Sequence, residues 1–295
     1  MSPVVDVDVR EVGPRDGLQA EAPLPVEDRV RLVQALLAAG VSHVEACSFV
    51  SPRAVPSMAD AASVVRAVLG TAVGVRVVAL VPNMRGAELA LEAGLRELSV
   101  TISASPAYNE KNVRMTIDES VASVTSICAL GVPVDAVVSC AFGSPYEGDL
   151  APSDVARLGA RLLDAGCASL TYADTTGMAT PPRVQALVAV TGADVGLHLH
   201  ETRGTGLVNA YAALEAGVRR FDTSIGGLGG SPFAAGAAGN LATEDFVYLC
   251  DELGLSTGIS LDGLLEASGL AASLVGHAVP SRVAAAGPRS RLANA

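Results

Sequence analysis

Two histidines two residues apart, in GLHLHE at 196–201, are the pair whose types and spacing point most directly to chemistry. Side chains two apart on a strand share one face, so His198 and His200 can hold one cation between them. Imidazole is a common ligand for first-row metals. The alternative is a pair of hydrogen-bonded core histidines. A lone histidine favours that alternative; half of the chain's four histidines on one face favours a metal. Asp16 in GPRDGLQ offers a carboxylate oxygen, and Asn240, at the far end of GGLGGSPFAAGAAGN, can offer an amide oxygen. Such a mixed nitrogen and oxygen set, with positions left open, suits an octahedral Mg or Mn ion that also chelates substrate oxygens.

Other polar residues cluster near the same places. Arg15 beside Asp16 is either a structural ion pair or a fixed cation aimed at a developing oxyanion. Glu45 and Asp174 are expensive to bury alone, so they pair with Arg15 or Lys111, which at a reactive site also orients a base. Glu21, Asp28, Asp118, Glu119 and Asp245 read as solvated or helix-start charges. The five cysteines form no C-x-x-C pair, which argues against a disulfide framework or a thiolate zinc cluster. They read as buried thiols, although Cys47, two residues after Glu45, could face the same way as that acid.

The elements that position these residues follow one repeating pattern. An Ala/Leu-rich helix ends in glycine and a β-branched run follows, at Gly40, Gly70, Gly94, Gly131, Gly166, Gly192 and Gly217. Glycine past a helix supplies the left-handed conformation that ends it. With an opening strand over 7–12, this gives eight strands alternating with helices, the signature of an α/β (β/α)8 TIM barrel; an open doubly wound sheet is the other arrangement considered. No linker splits the chain. Residues 1–276 form one barrel domain with an extra C-terminal helix over 261–271, and 277–295 form a flexible tail. In a barrel, chemistry belongs at the C-terminal ends of the strands, and Arg15, Asp16, Glu45, Asp174, His198 and His200 all fall there.

Composition narrows the setting. Half of the residues are hydrophobic, no apolar run approaches the ~20 residues of a membrane span, and the start MSPVVDVDVR carries acids where an export signal would be basic. The expected location is the cytoplasm, with no membrane partner. A formal charge of −11 argues against nucleic acid as a partner but permits a small anion held by local arginines. The glycine-rich segment lacks the lysine of a P-loop. It reads as a lid that swings while Asn240 stays anchored, or as an inert turn.

The segments GPRDGLQ, HVEACSFVSPRAVPSM, LVPN, NEKNVRMTIDES, VSCAFGSPYEG, ADTTG, HLHETRGTG and GGLGGSPFAAGAAGNLATED closely resemble those of 3-hydroxy-3-methylglutaryl-CoA lyases, from about Val9 to Leu270. These are metal-dependent TIM-barrel lyases. The resemblance implies metal ligands at Asp16, His198, His200 and Asn240, and catalytic roles for Arg15, Glu45 and Asp174, with His198 or Asp174 as the base. It implies an acyl-CoA substrate, with Lys111 and Arg114 as contacts to CoA phosphates, and we expect a homodimer. The implied reaction cleaves 3-hydroxy-3-methylglutaryl-CoA into acetyl-CoA and acetoacetate. One departure matters: where the family motif is G-G-C-P, with a cysteine that takes part in catalysis, this chain has Ser231. The chain is then a lyase using another acid, a lyase for a related 3-hydroxyacyl-CoA, or a weakened homologue that binds acyl-CoA. A CoA-independent 4-hydroxy-2-oxo acid aldolase is the reading from a different class.

Overall fold

The computed structural model describes residues 5–230 and 239–291. Eight strands pair side by side, all parallel, and close on themselves in chain order. They are β1 (Asp8–Glu11), β2 (His43–Ser48), β3 (Arg76–Leu80), β4 (Leu98–Ser103), β5 (Val134–Ser139), β6 (Ser169–Ala173), β7 (Gly196–His198) and β8 (Arg220–Thr223). Between them run α1 (Val26–Ala38), α2 (Ala61–Leu69), α3 (Met84–Glu92), α4 (Pro106–Val113), α5 (Ile117–Cys128), α6 (Pro152–Asp164), α7 (Pro181–Thr191) and α8 (Gly206–Glu215). After β8 come α9 (Thr243–Glu252), α10 (Leu261–Val275) and α11 (Arg282–Ala286). The fold is the expected TIM barrel with added C-terminal helices. None of the described helices is long and apolar enough to cross a membrane.

Six of the seven helix-ending glycines take up the left-handed backbone that a side chain would resist: Gly40 (φ 98°), Gly94 (112°), Gly131 (80°), Gly166 (99°), Gly192 (79°) and Gly217 (95°). Gly70 keeps φ −64°, and the left-handed turn comes at Gly74 instead. The strands' Val44, Val100, Val138, Leu197 and Phe221 share one apolar core with Leu36 of α1, Val64 of α2 and Val184 of α7. Burial of this kind, at roughly 25 cal/mol per Å² of apolar surface, is what holds the helical ring on the barrel.

Three local departures from regularity shape the mouth. In β2 the register slips between Glu45 and Cys47. That bulge breaks the alternation which would have put both side chains on one face. Cys47 accordingly packs toward α2, its thiol 3.8 Å from the carbonyl of Ala61, and does not face the mouth. The second departure lies past β7, which ends at His198. The chain continues extended, and the segment 239–242 inserts between the ends of β7 and β8. The Leu241 amide donates to the Leu199 carbonyl (2.9 Å), and the Ser224 amide to the Leu241 carbonyl (2.9 Å). This places Asn240 opposite His200 in an isolated bridge.

The third departure is where the C-terminal segment meets the barrel. The tail after residue 276, expected to fray, contacts the barrel at residues 281–283 and through Arg289, whose Nε is 2.7 Å from Glu252. Asp245, expected to be a solvated or a helix-start charge, is the latter: it lies buried in the first turn of α9 and holds that tail. Its carboxylate accepts from the Ser281 hydroxyl (2.7 Å) and from the amides of Val283 (2.8 Å) and Arg282 (3.2 Å). The Ser281 amide donates to the Gly226 carbonyl (2.9 Å), so the tail braces the turn that follows β8. A tail with three arginines and no acid reads as loose in sequence; a buried acid waiting for its amides is not legible there.

Candidate active site

The mouth is assembled from the ends of β1, β2, β6 and β7 together with the inserted segment 239–242. After β1 the chain makes a single wide turn over Gly13–Gly17, which presents Arg15 and Asp16. Arg15 Nε pairs with Glu45 of β2, and its Nη1 pairs with Asp16 Oδ1. The other oxygen of Glu45 accepts from the Ser99 hydroxyl on β4. Both Arg15 and Glu45 are buried. Of the two partners expected for Glu45, Arg15 is the one it has.

His198, His200 and Asp16 converge: one ligand atom from each lies within 4.8 Å of the others. His198 Nε2 is 3.1 Å from His200 Nε2 and 3.8 Å from Asp16 Oδ2. Two buried ring nitrogens facing each other at that distance share one proton or face one cation. Asn240 completes the ring of donors. Its Nδ2 gives both protons away, to Asp16 Oδ2 (2.8 Å) and the Leu228 carbonyl (2.9 Å). That fixes the amide orientation and leaves Oδ1 buried with no hydrogen-bond partner. An orphaned carbonyl oxygen on a residue that bonds Asp16 and bridges His200 through the backbone is a group that a divalent cation satisfies. The residues present therefore fit the metal that the sequence implied.

Beneath these ligands lies a network that sequence reading missed. His198 Nδ1 meets Asp222 Oδ2 of β8 at 3.2 Å. Asp222 is held bidentate by Arg10 of β1 (2.8 and 2.7 Å), and Arg10 also reaches Asp135 of β5 (2.9 Å). A carboxylate on the far nitrogen fixes the ring orientation and leaves Nε2 to a metal. The only trace of this in sequence is an acid inside the β-branched run RFDTSI.

The charges respond accordingly. Burial opposes ionisation of Asp222, but Arg10 and then His198 outweigh it and hold the carboxyl well below the usual range. Burial likewise works against a charged His198, but the Asp222 hydrogen bond and the charges of Asp222 and Asp16 raise it above an ordinary imidazole. His200, pressed by burial and then by the neighbouring His198, falls to about 3 and stays neutral. At Asp16, Arg15 leads the groups that overcome burial and lower the carboxyl.

Asp174, the first residue past β6, is buried but has neither expected partner. Its Oδ1 accepts from the amides of Met178 (2.7 Å) and Ala179 (2.9 Å), and Oδ2 is buried with no hydrogen-bond partner. Its own amide donates to the His198 carbonyl (2.8 Å), which ties it to the end of β7. Burial pushes its carboxyl up to about 7, against the pull of those amides and of Arg203 and His198.

Lys111 and Arg114 stand apart from this cluster, exposed on α4 and at its end, on the same C-terminal face of the barrel. Lys111 Nζ lies 3.7 Å from the centroid of the Tyr146 ring. Ser231 lies outside the described residues. Among the described residues Cys47 and Cys140 are both buried, and burial pushes each thiol up to about 12.

Comparison with known proteins agrees with this geometry. The HMGL-like family model matches residues 6–271. The chain is 40% identical to the (R)-citramalyl-CoA lyase of Chloroflexus aurantiacus, over 96% of this chain and 95% of that one. It is 41% identical to the hydroxymethylglutaryl-CoA lyase of Pseudomonas mevalonii, over 94% of this chain and 95% of that one. An HMG-CoA lyase structure from Acinetobacter baumannii, in complex with coenzyme A and 3-methylmalate, superposes with a TM-score of 0.94 at 40% identity over the full length of both chains. With the ligand geometry, the closed barrel and these matches in agreement, the chain belongs to the HMGL-like family.

Proposed function

We propose that this protein is a divalent-metal-dependent carbon–carbon lyase that cleaves 3-hydroxy-3-methylglutaryl-CoA, or a closely related 3-hydroxyacyl-CoA, into acetyl-CoA and an oxo acid. The observation that carries this reading is the convergence of Asp16, His198 and His200 on one another, with Asn240 bonded to Asp16 and its carbonyl oxygen unpartnered, and Arg15 alongside. Asp16, His198, His200 and Asn240 would hold Mg or Mn, which when bound supplies a Lewis acid and a template for the substrate's hydroxyl and carbonyl oxygens.

The chain's own residues account for the remaining demands. The 3-hydroxyl must lose its proton as the bond between C2 and C3 breaks. Asp174, with a carboxyl near 7 and one unpaired oxygen, is the group we assign as base. Glu45 and Ser99 hold Arg15 so that its guanidinium can face the enolate oxygen of the departing thioester. The enolate carbon must then take up a proton. A serine hydroxyl at 231 is a far weaker acid than the ~8.5 thiol that the family motif supplies. Asp174, once protonated by the substrate, is the acid that can return the proton. Lys111 and Arg114, on the same face of the barrel, are proposed as contacts to CoA phosphates. The relatives act on CoA thioesters, which favours this reading over a CoA-independent aldolase. The citramalyl-CoA lyase and the hydroxymethylglutaryl-CoA lyase are nearly equal in identity, so the acyl group is to be read from a substrate screen. We place the enzyme in the cytoplasm as a homodimer.

Three outcomes are expected. First, His198→Ala or Asp16→Ala abolishes Mn-dependent release of acetyl-CoA, as does EDTA with the unmodified enzyme; turnover that persists with EDTA present contradicts the metal role. Second, a metal must displace any proton on His198, and that imidazole is raised above its ordinary value. Protonation therefore competes at low pH, and Mn affinity in calorimetry climbs on the order of tenfold between about pH 6 and 8. A flat profile argues against His198 as a ligand. Third, Ser231→Cys raises kcat on 3-hydroxy-3-methylglutaryl-CoA; a variant no faster than the parent shows that the serine is matched to another substrate or acid.

A further inference from the structure

Glu11 takes part in no step described above, yet it lies where three segments of the mouth meet. It is the last residue of β1 and is fully buried. Its Oε1 accepts from two backbone amides, Gly13 (2.7 Å) and Ile225 (2.8 Å), and its Oε2 accepts from the Thr243 hydroxyl (2.5 Å). Each partner begins a different piece of the site. Gly13 opens the turn that presents Arg15 and Asp16. Ile225 opens the short turn that leaves β8. Thr243 opens α9, three residues after Asn240.

The junction has no slack. A Cβ on Gly13 would lie 2.6 Å from Glu11 Oε1 and 2.7 Å from Ile225 Cγ2. Thr243 is fixed a second time, its hydroxyl 2.8 Å from that of Thr223 and its amide 3.0 Å from the Ser224 carbonyl. The next amide along, Gly226, is taken by the Glu244 carboxylate (2.9 Å to each oxygen), so Glu11 alone links β1, β8 and α9 through one carboxylate. A lone carboxylate is an expensive group to bury, and simple packing between a strand and a helix would be served by an apolar side chain. What a carboxylate provides here, and an apolar residue cannot, is three directed acceptors that set the spacing of three backbone segments.

We infer that Glu11 is a positioning residue: by joining the Asp16 turn to the segment that carries Asn240, it sets how tightly the site grips its divalent cation. The inference rests on the metal reading proposed above. Outer partners that orient metal ligands typically change affinity by about 10–100-fold when removed.

The test measures Mn binding by isothermal calorimetry, and melting of the metal-free protein, for the full chain and its variants. Glu11→Ala is expected to weaken Mn binding by about tenfold or more. Glu11→Gln, whose amide oxygen still accepts from Gly13 and Ile225, is expected to recover to within about threefold of the parent. A merely structural role would lower the melting temperature and leave the folded protein's affinity unchanged, so a folded Glu11→Ala variant that binds Mn as tightly as the parent overturns the inference. If Glu11→Ala does not fold, Thr243→Val decides, with Thr223→Val as its control, since Thr243→Val removes the α9 arm of Glu11 together with the Thr223 contact and the control removes that contact alone. A loss of about threefold or more relative to the control supports the positioning role, and an affinity unchanged from the control's refutes it. Failure of the parent chain itself to bind Mn would overturn the metal reading and this inference together.

Discussion

Two imidazole nitrogens that face each other at 3.1 Å inside a buried mouth, with a carboxylate beside them, impose a requirement on everything around them. Either one proton bridges the rings or a cation sits before both. The surroundings are arranged for the second. His200 is kept neutral by burial, Asp222 engages the far nitrogen of His198, and the protons of the Asn240 amide are committed so that only its oxygen remains. Charge points the same way. In the connected interior, Asp16, Glu45, Asp135 and Asp222 set four carboxylates against the two guanidiniums of Arg10 and Arg15, a deficit that one divalent ion would neutralise.

The barrel supplies this geometry in layers. Arg10, Asp135 and Asp222 close the interior below and fix His198 from underneath. Glu45 and Ser99 fix Arg15 from the side. The segment 239–242, wedged between the ends of β7 and β8, brings Asn240 across from His200. His198 is thus held by Asp222 of β8, and Asp16 by Arg15 and the Asn240 amide, while His200 Nδ1 is buried with no hydrogen-bond partner. The barrel wall provides the rigidity, and the loops after the strands provide the donors.

Much of this was legible in sequence. The glycine-punctuated alternation is a local signal, because each glycine answers a local need for left-handed backbone, and so it gave the eight-strand barrel. The H-L-H pair was legible for the same reason: strand alternation alone puts both rings on one face. What sequence could not show depends on contacts between distant strands. Asp222 and Arg10 are 212 residues apart and meet only because β8 closes against β1. The bulge after Glu45 turned Cys47 outward, and no side-chain pattern announces a slipped register. Asp174 was expected beside a cation and instead takes two amides of its own loop. Asp245 was read as a solvated or helix-start charge; it starts α9, and its hold on the tail was not foreseen. Asp174 is held by backbone amides, and Asp245 by two backbone amides and a distant serine, partners that carry no mark in the local sequence.

Diffraction from crystals of the Mn-loaded protein, collected at the Mn absorption edge, tests the shared cation most directly. A single strong anomalous peak is expected, bonded to Asp16, to Nε2 of both His198 and His200, and to Oδ1 of Asn240. An Mn-saturated crystal with no peak there, and with the two imidazoles still facing each other across a hydrogen bond, would contradict it.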